Sequence, residues 1–312
     1  MLSPSHQELI QAFERGLDPQ HPERSAIPAR ILGYGEISTV FEIDAEGLRE
    51  LAFKRLPLFY SQAEVEKYTA VFVEYNRLLE QEIGIRLPAH DHIIVTNAKG
   101  RPVFYIVQQK LPAESIGNRI LQRAARDEVQ TLLRRVLREA RKVWDFNRQQ
   151  NRWQVAIDGQ ISNWVFIGDD VLYVDTSTPL FRVNGVEQLD TELFLRSAPS
   201  FLVWILRLLF LKDVVNRYYD FHRVAVDLVA NLYKEQRADL IPDAIHVVND
   251  FFASEARDLN IAPLTEKEVR DYYQEDAQIW SLYFTMRKMD RFLRTRVLRG
   301  EYPYILPEKI VR

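Results

Sequence analysis

Two kinds of hydrophobic spacing alternate along the first third of the chain and predict a small sheet with one helix beside it. Short runs of β-branched and aromatic residues, bounded by turn residues, predict strands. These strands are Thr39–Ile43, Glu50–Leu56, His92–Thr96 and Pro102–Gln109, arranged as two hairpins. Between the hairpins, apolar residues recur every three to four positions over Gln62–Glu82. That spacing predicts an amphipathic helix.

Helical spacing predominates in the rest of the chain. The predicted helices are Arg119–Gln150, Phe201–Leu211, Asp213–Gln236, Asp243–Arg257 and a last helix from Thr265 to Leu298. Thr265 with Glu268 forms a capping box for that last helix, and Ser5 with Glu8 predicts another for a short N-terminal helix. The fold class is therefore expected to be α+β, with an N-terminal antiparallel sheet followed by a mostly helical part.

One predicted helix concentrates positive charge on a single side. Apolar residues line one face of Arg119–Gln150, and the opposite side carries Arg134, Arg135, Arg138, Arg141 and Lys142. Such a stripe is either a solvated face or a surface that binds anions. Both interpretations stay open on the sequence alone.

The composition narrows the class of protein. The chain has 312 residues, 47% of them hydrophobic and 27% charged, with a net charge of -3. This balance gives no reason to expect a nucleic-acid partner or membrane insertion. The absence of cysteine excludes disulfides, thiol catalysis and cysteine-ligated zinc. The N-terminus lacks the features of a signal peptide and the apolar run Phe201–Leu211 is too short to span a bilayer, so we expect a cytoplasmic location.

A glycine-containing turn precedes the first predicted hairpin. Gly33 and Gly35 allow close approach of the backbone to a phosphate, and the small Ser38 follows them. Lys54 lies centrally in the second predicted strand, where a point charge could bind that phosphate. The alternatives are a simple tight turn and a surface lysine.

The helix Gln62–Glu82 carries acids that could orient Lys54. Glu74 lies among apolar neighbours and is the first candidate for an ion pair with the lysine. Glu64 and Glu66 are alternatives nearer the helix start, where acids also stabilise the helix dipole.

A third group of polar residues lies between Val155 and Asp175. Asp158 and Asn163 are followed by a short apolar hairpin that ends on Asp175. Phosphoryl transfer uses a carboxylate near the accepting hydroxyl, and an asparagine with a second carboxylate to hold magnesium. The spacing of Asp158 and Asn163 alone has little weight, because such pairs occur often by chance.

Taken in order, the glycine turn, Lys54, the acidic helix and the Asp158–Asp175 stretch resemble the protein-kinase-like superfamily. The resemblance is closer to aminoglycoside phosphotransferases and choline-kinase-type enzymes than to protein kinases. It implies a two-lobed fold, with a nucleotide-binding lobe over residues 1–110 and a helical lobe over residues 111–312. It also implies ATP and Mg²⁺ as ligands of a single kinase-like domain.

The resemblance implies a role for each matching residue. Gly33, Gly35 and Ser38 would cover the nucleotide phosphates, and Val40 and Ala52 would contact the adenine. The segment Gln108–Leu111 would form the hinge between the lobes, where Gln109 and Leu111 would contact the nucleotide. Lys54 would bind phosphates and pair with Glu74. Asp158 would orient or deprotonate the acceptor, and Asn163 and Asp175 would hold magnesium. The helical lobe would supply the acceptor pocket, with Tyr218, Tyr219, His222, Asp271, Tyr272 and Tyr273 as candidates by residue type.

The chain also departs from the family pattern at two places. Ala156 and Ile157 precede Asp158 where a histidine-containing pair is usual, and Thr176 and Ser177 follow Asp175 in place of Phe-Gly. The leading hypothesis is a kinase for a hydroxyl of a small molecule. The alternative is a pseudokinase that binds nucleotide without turnover, and a third possibility is transfer of AMP to a protein.

Overall fold

A five-stranded antiparallel sheet is built from the first part of the chain. The computed structural model describes residues 2–35, 37–196, 215–297 and 302–306. The strands are β1 (Ala29–Tyr34), β2 (Thr39–Ile43), β3 (Leu51–Leu56), β4 (His90–Thr96) and β5 (Pro102–Gln109). Their order in the sheet is β1-β2-β3-β5-β4, with every neighbouring pair antiparallel. The α+β class with an N-terminal antiparallel sheet is thus confirmed.

The first strand was not predicted as a strand. Residues around Gly33 were interpreted as a turn, yet β1 pairs with β2 along its length and contains an irregularity between Ile31 and Gly33. A glycine within a strand weakens the local pattern, and an irregular register hides the alternation that identifies strands in sequence.

Each face of the sheet is covered by one helix. Helix α1 (Pro4–Gly16) places Ile10 and Phe13 in a core with one set of strand residues, including Phe53 and Tyr105. Helix α2 (Gln62–Arg77) covers the opposite face, where its apolar stripe packs against Leu56, Phe104 and Ile106. Adjacent residues of one strand therefore pack against different helices, because successive side chains of a strand point to opposite faces of the sheet.

The ends of these two helices are fixed by local hydrogen bonds. The capping box of α1 uses Ser3 and His6 in place of the predicted Ser5 and Glu8. Pro4 explains the shift, because proline suits the first helical position and needs no N–H partner there. Helix α2 starts after Ser61, whose side chain accepts from the Glu64 amide, and continues as a π-helical turn over Leu78–Ile83.

The second part of the chain is mainly helical. Its described helices are α3 (Gly117–Leu121), α4 (Arg126–Gln149), α5 (Glu192–Leu195), α6 (Phe221–Lys234), α7 (Ile241–Ala253) and α8 (Glu266–Phe292), the last continuing as a π-helical turn over Leu293–Val297. Strands β6 (Trp153–Val155), β9 (Phe181–Val183) and β10 (Val186–Glu187) form a three-stranded sheet in the order β10-β9-β6. Strands β7 (Trp164–Ile167) and β8 (Asp170–Tyr173) form a two-stranded hairpin.

The predicted helix Arg119–Gln150 is two helices in the structure. Helix α3 ends at Leu121, and α4 begins at Arg126 after Ala125, which has an extended backbone. The Ala125 amide donates to the Glu128 side chain at 2.9 Å, which caps the new helix. The predicted buried helix Phe201–Leu211 lies outside the described residues.

The basic side of α4 is neutralised within the fold. Arg134 contacts Asp250 at 2.7 Å and Glu255 at 2.9 Å, and Arg138 contacts Glu255 at 2.6 Å. Arg141 contacts Asp258 at 2.8 Å. These acids lie in α7 and just after it, so the stripe attaches one helix to another. Among the described helices, none has the length and apolar character needed to cross a membrane.

A buried ion pair attaches α1 to the sheet. Arg55 on β3 contacts Glu14 on α1 through two hydrogen bonds of 2.8 and 2.7 Å, and the two side chains are 4% and 1% exposed. The Tyr105 hydroxyl donates to the same carboxylate at 2.5 Å. Arg55 also donates to the Pro303 carbonyl at 2.8 Å, so this group joins three parts of the chain.

We expect Glu14→Gln to lower the free energy of unfolding by roughly 3–5 kcal/mol, because it leaves a buried guanidinium without its counter-charge. Glu42→Gln is the matched control. Glu42 is 21% exposed and pairs with Arg30, which is 71% exposed, and with Lys110, which is 28% exposed. Because water reaches these pairs, the loss of the carboxylate should cost about 1 kcal/mol or less. Urea unfolding of both variants measures the difference. An equal decrease in the free energy of unfolding of both variants would show that the buried pair stabilises the fold no more than the exposed one.

Candidate functional site

Lys54 lies at the centre of the five-stranded sheet. On β3, Lys54 pairs with Val40 of β2 and with Ile106 of β5. The ammonium nitrogen Nζ is 2.7 Å from Oδ1 of Asp175, and the lysine side chain is 12% exposed. Nζ also lies 3.4 Å from the Ser177 hydroxyl. The sheet lysine and the acid that ends the β7–β8 hairpin are therefore in direct contact.

Asp175 is held by its own turn as well as by the lysine. Its Oδ1 accepts hydrogen bonds from the Ser177 amide at 3.1 Å and the Ser177 hydroxyl at 2.6 Å. Burial alone would raise the pKa of Asp175, but Lys54 and the two Ser177 donors outweigh it and hold the pKa below its usual range. The group is a carboxylate at neutral pH.

The loop between β6 and β7 brings Asp158 and Asn163 to the same end of the hairpin. The Asn163 carbonyl accepts from the Val174 amide at 2.9 Å, so Asn163 lies beside the residue that precedes Asp175. The Asn163 side chain is 8% exposed and its Nδ2 donates to the Asp158 carbonyl at 3.5 Å. The Asp158 carboxylate accepts from the Gln160 amide at 3.0 Å.

Two tyrosines of α2 support this loop, and the sequence did not identify them. The Tyr75 hydroxyl donates to the Ala156 carbonyl at 2.8 Å, and the Tyr68 hydroxyl donates to the Ser177 carbonyl at 2.8 Å. The rings lie two helical turns apart on the buried stripe of α2. Their aromatic character and spacing indicated core packing alone, so the sequence carried no signal for the hydroxyl contacts.

The predicted ion pair between Lys54 and Glu74 is not formed. Glu74 contacts Arg77 at 2.9 Å and is 32% exposed. It immediately precedes Tyr75, which is buried, and neighbours in a helix point about 100° apart. The two alternative acids also pair elsewhere, Glu64 with Arg196 at 2.8 Å and Glu66 with Gln62 at 2.9 Å. The counter-charge of Lys54 is Asp175.

The glycine turn joins β1 to β2 beside the strand that carries Lys54. The Gly35 amide donates to the Ser38 carbonyl at 3.0 Å, and a Cβ on Gly35 would lie 2.5 Å from the Ser38 hydroxyl. A side chain at position 35 would therefore require the Ser38 hydroxyl to move. A Cβ on Gly33 would have nothing within 4 Å, so that side of the turn has open space.

The end of β5, where the chain leaves the sheet, contacts the residue before Asp175 directly. Ala52 pairs with Gln108, and Leu51 pairs with Gln109, the last residue of β5. The Gln108 side chain donates to the Val174 carbonyl at 3.1 Å. The predicted hinge residues, with Leu111 half-buried after them, thus lie where the sheet meets the Asp158–Asp175 stretch.

Helix α6 forms the other wall of the loop. A Cβ on Gly159 would lie 2.5 Å from a methyl carbon of Val224, so only glycine fits between the loop and the helix. Lys234 donates to the Gln160 side chain at 3.1 Å. Burial raises the pKa of Asp158, and the carboxylate of Asp227 on α6 raises it further. Asp227 and Lys234 were missed because polar residues of a helix reveal their neighbours only after folding.

A family model described as "Family of unknown function (DUF6206)" matches residues 20–291. The chain belongs to this family. The matched region runs from the turn before β1 to the end of α8, so it includes all of the candidate site residues. A comparison with curated proteins gives no significant match.

The donor set of this DUF6206 site suits magnesium bound together with a phosphorylated ligand. In the part of the chain that the structure describes, no group of three or more His, Asp or Glu side chains could hold a metal. Asn163 and Asp175 offer an amide oxygen and a carboxylate. Mg²⁺ takes oxygen ligands, commonly one or two from protein and the rest from phosphates and water. The two residues fit that pattern and would not form a metal site alone.

We expect Asp227→Asn to stabilise the protein as the pH rises. Burial and the nearby charge of Asp276 raise the pKa of Asp227 above its usual 3.8, so the folded state favours the protonated form. The charged form therefore costs stability once the pH exceeds 3.8, and the cost grows until the raised folded pKa is reached, by about 1.4 kcal/mol per unit of pKa shift. Asparagine removes this cost. Urea unfolding at pH 4 and pH 8 should show equal stabilities at the lower pH and a more stable variant at the higher one.

Proposed function

We propose that this protein is an ATP- and magnesium-dependent phosphotransferase of protein-kinase-like fold that acts on a hydroxyl of a small molecule. The observation that carries the proposal is the contact between Lys54 on the sheet and Asp175 after the hairpin, with Nζ and Oδ1 2.7 Å apart. Asn163 and Asp158 lie in the adjoining loop. In this proposal Lys54 would bind phosphate, Asn163 and Asp175 would hold magnesium, and Asp158 would accept the proton of the acceptor hydroxyl. The closeness of these residues supports the proposal.

The fold supports the proposal through the order of its elements. A five-stranded antiparallel sheet with a helix between its third and fourth strands precedes a mainly helical part. The proposed lobes are residues 1–110 and residues 111–312, joined at the segment after β5. The candidate residues come from both parts and meet where the two parts meet.

The nucleotide would bind between the sheet and the hinge. Val40 and Ala52 would contact the adenine, and Gln109 and Leu111 would line the hinge side. Gly33, Gly35 and Ser38 would cover the phosphates, where the open space beside Gly33 leaves room for the ligand. Lys54 would exchange part of its contact with Asp175 for the phosphate oxygens, since an ammonium group has three donors.

Asp158 would receive the proton of the acceptor hydroxyl as the hydroxyl oxygen bonds to the γ-phosphorus and the bond to the β-phosphate oxygen breaks. Its raised pKa suits this role, because a general base is most effective when its pKa lies near the working pH. Asn163 and Asp175 would hold magnesium, which when bound neutralises charge on the phosphates. Positioning and electrostatics would supply most of the rate enhancement.

A nucleotide-binding protein without turnover is the second candidate, and one specific observation favours it. Lys54 and Ser177 both contact the same oxygen of Asp175, so the phosphate-binding cation and the metal-binding acid neutralise each other. No described acid of α2 replaces Asp175 as the partner of the lysine, since Glu64, Glu66 and Glu74 pair elsewhere. Without a second counter-charge to stabilise the ammonium group, separating Lys54 from Asp175 costs more free energy.

We expect the wild-type protein to be stabilised in a thermal-shift assay by ATP with magnesium and to transfer phosphate to acceptors in a metabolite pool. Lys54→Met should weaken ATP binding, since it removes the phosphate-binding charge. Asp158→Asn should lower the transfer rate by roughly 10²–10⁴-fold while ATP binding persists. Lys67→Met, at an exposed position of α2, is the control that should match wild type.

The same experiment separates the candidates. Mass spectrometry of the products distinguishes a gain of phosphate from a gain of AMP. Magnesium-dependent ATP binding with no transfer to any acceptor would favour the second candidate. Full activity of Asp158→Ala would contradict the assigned mechanism.

A further inference from the structure

A cavity of about 660 Å³ lies between the start of α6, with the residues just before it, and the first three turns of α8. This volume is that of a typical small-molecule site. Arg217, Arg223 and Val226 line it from the α6 side, and Tyr272 with charged residues of α8 lines the other side. The sequence suggested Asp271 and Tyr272 as acceptor-pocket candidates by residue type, and both are in the lining.

The cavity lining contains as many acidic as basic side chains, but not every basic side chain has a close acidic partner. Glu268 contacts His222 at 2.7 Å, and Asp271 contacts Lys267 at 2.5 Å. Two acids of the cavity therefore already have close polar partners. Arg223 has a longer contact: it lies 3.8 Å from Asp220, a distance too long for a strong charge-assisted hydrogen bond.

Arg217 is the most informative residue of the cavity. Its side chain is 14% exposed, and among the described residues the one carboxylate within ion-pair distance is Glu275, at 3.9 Å. Its Nε is buried and has no hydrogen-bond partner in the described part of the chain, and one Nη donates to the neutral Tyr272 hydroxyl at 3.3 Å. A largely buried guanidinium normally has close anionic partners. Among the described residues, the acids that interact with Arg217 are Glu275 at 3.9 Å and the buried Asp227, and neither forms a hydrogen bond with it.

The helices add to the positive potential. Thr265, the N-cap of the 27-residue helix α8, lines the cavity, and so does Arg223 in the first turn of α6. Helix N-termini carry partial positive charge and stabilise anions within the first turn. The helix ends and the under-neutralised arginines favour the same kind of ligand.

The inner wall of the cavity leads to the loop of Asp158. Tyr272 accepts a hydrogen bond from Arg217 and lies close enough to Asp227 on α6 to lower the pKa of that carboxyl group. One helical turn before Asp227, Val224 packs against Gly159, the neighbour of Asp158. A ligand seated at Arg217 would therefore lie on the α6 side of the loop that carries the proposed catalytic acid.

We infer that this cavity binds a small organic anion, whose carboxylate or phosphate group is held by Arg217 with Arg223 at the rim. A planar guanidinium forms two parallel hydrogen bonds with such a group. The acceptor of the proposed phosphotransfer would then be an anionic hydroxy compound. That last step rests on the proposed function, whereas the binding of the anion does not.

The test measures binding to the full chain by isothermal titration calorimetry without ATP. Malate carries carboxylates, glycerol 3-phosphate carries a phosphate, and ethanolamine is the cationic comparison. All titrations use the wild-type chain and its arginine variants, and the comparison with Arg217→Gln separates binding in the cavity from binding at Lys54. We expect malate or glycerol 3-phosphate to bind, ethanolamine not to bind, and Arg217→Gln to weaken anion binding at least about tenfold. The anion that binds identifies which group the site takes.

Arg270→Gln is the matched control. Arg270 lies on α8, the helix of the opposite wall, but is not in the cavity lining, and like Arg217 it has an acid at 3.9 Å among the described residues. It should bind as the wild type does. If Arg217→Gln does not fold, Arg223→Gln replaces it, since that side chain is 59% exposed, and should weaken binding several-fold. The inference is overturned if neither anion binds, if ethanolamine binds as well as the anions, or if the arginine variants bind normally. Because ATP is absent, loss of phosphotransfer activity leaves this result unaffected.

Discussion

The ion pair between Lys54 and Asp175 is the interaction on which the candidate site depends. It is one of the contacts that join the central strand of the sheet to the end of the β7–β8 hairpin. Its two partners lie far apart in sequence, so both the sheet and the hairpin must be in place before they meet. The lysine is largely buried, and a buried ammonium needs a counter-charge. The pair therefore fixes the junction of the two parts as well as the charge of the site.

Helix α2 extends this junction beyond the ion pair. Tyr68 and Tyr75 each donate to a backbone carbonyl of the second part, one after Asp175 and one before Asp158. Arg196 adds a bidentate contact to Glu64, at the start of the same helix. A helix that packs its apolar stripe on the sheet thus positions both ends of the Asp158–Asp175 stretch. A shift of this helix would move both acids together.

The site also borders a second concentration of charge on α6 and α8. Asp227 raises the pKa of Asp158, and Tyr272 lies close enough to Asp227 to lower its pKa. Arg217, with Tyr272 as its hydrogen-bond acceptor, lies beyond it. The proposed catalytic acid and the cavity are therefore connected through named side chains. Buried charges of opposite sign in one wall give the cavity a polarity that its composition alone does not reveal.

The sequence by itself determined the α+β class, the positions of most strands and helices, and the residues with suitable chemistry. Strand alternation and helical spacing are local properties, so β2, β5 and the start of α8 could be placed from them. The tertiary structure alone decided the partners. It paired Lys54 with Asp175 and turned Glu74 toward Arg77, because helix rotation depends on packing. It also placed Tyr68, Tyr75 and Asp227 beside the site, through contacts between residues distant in sequence.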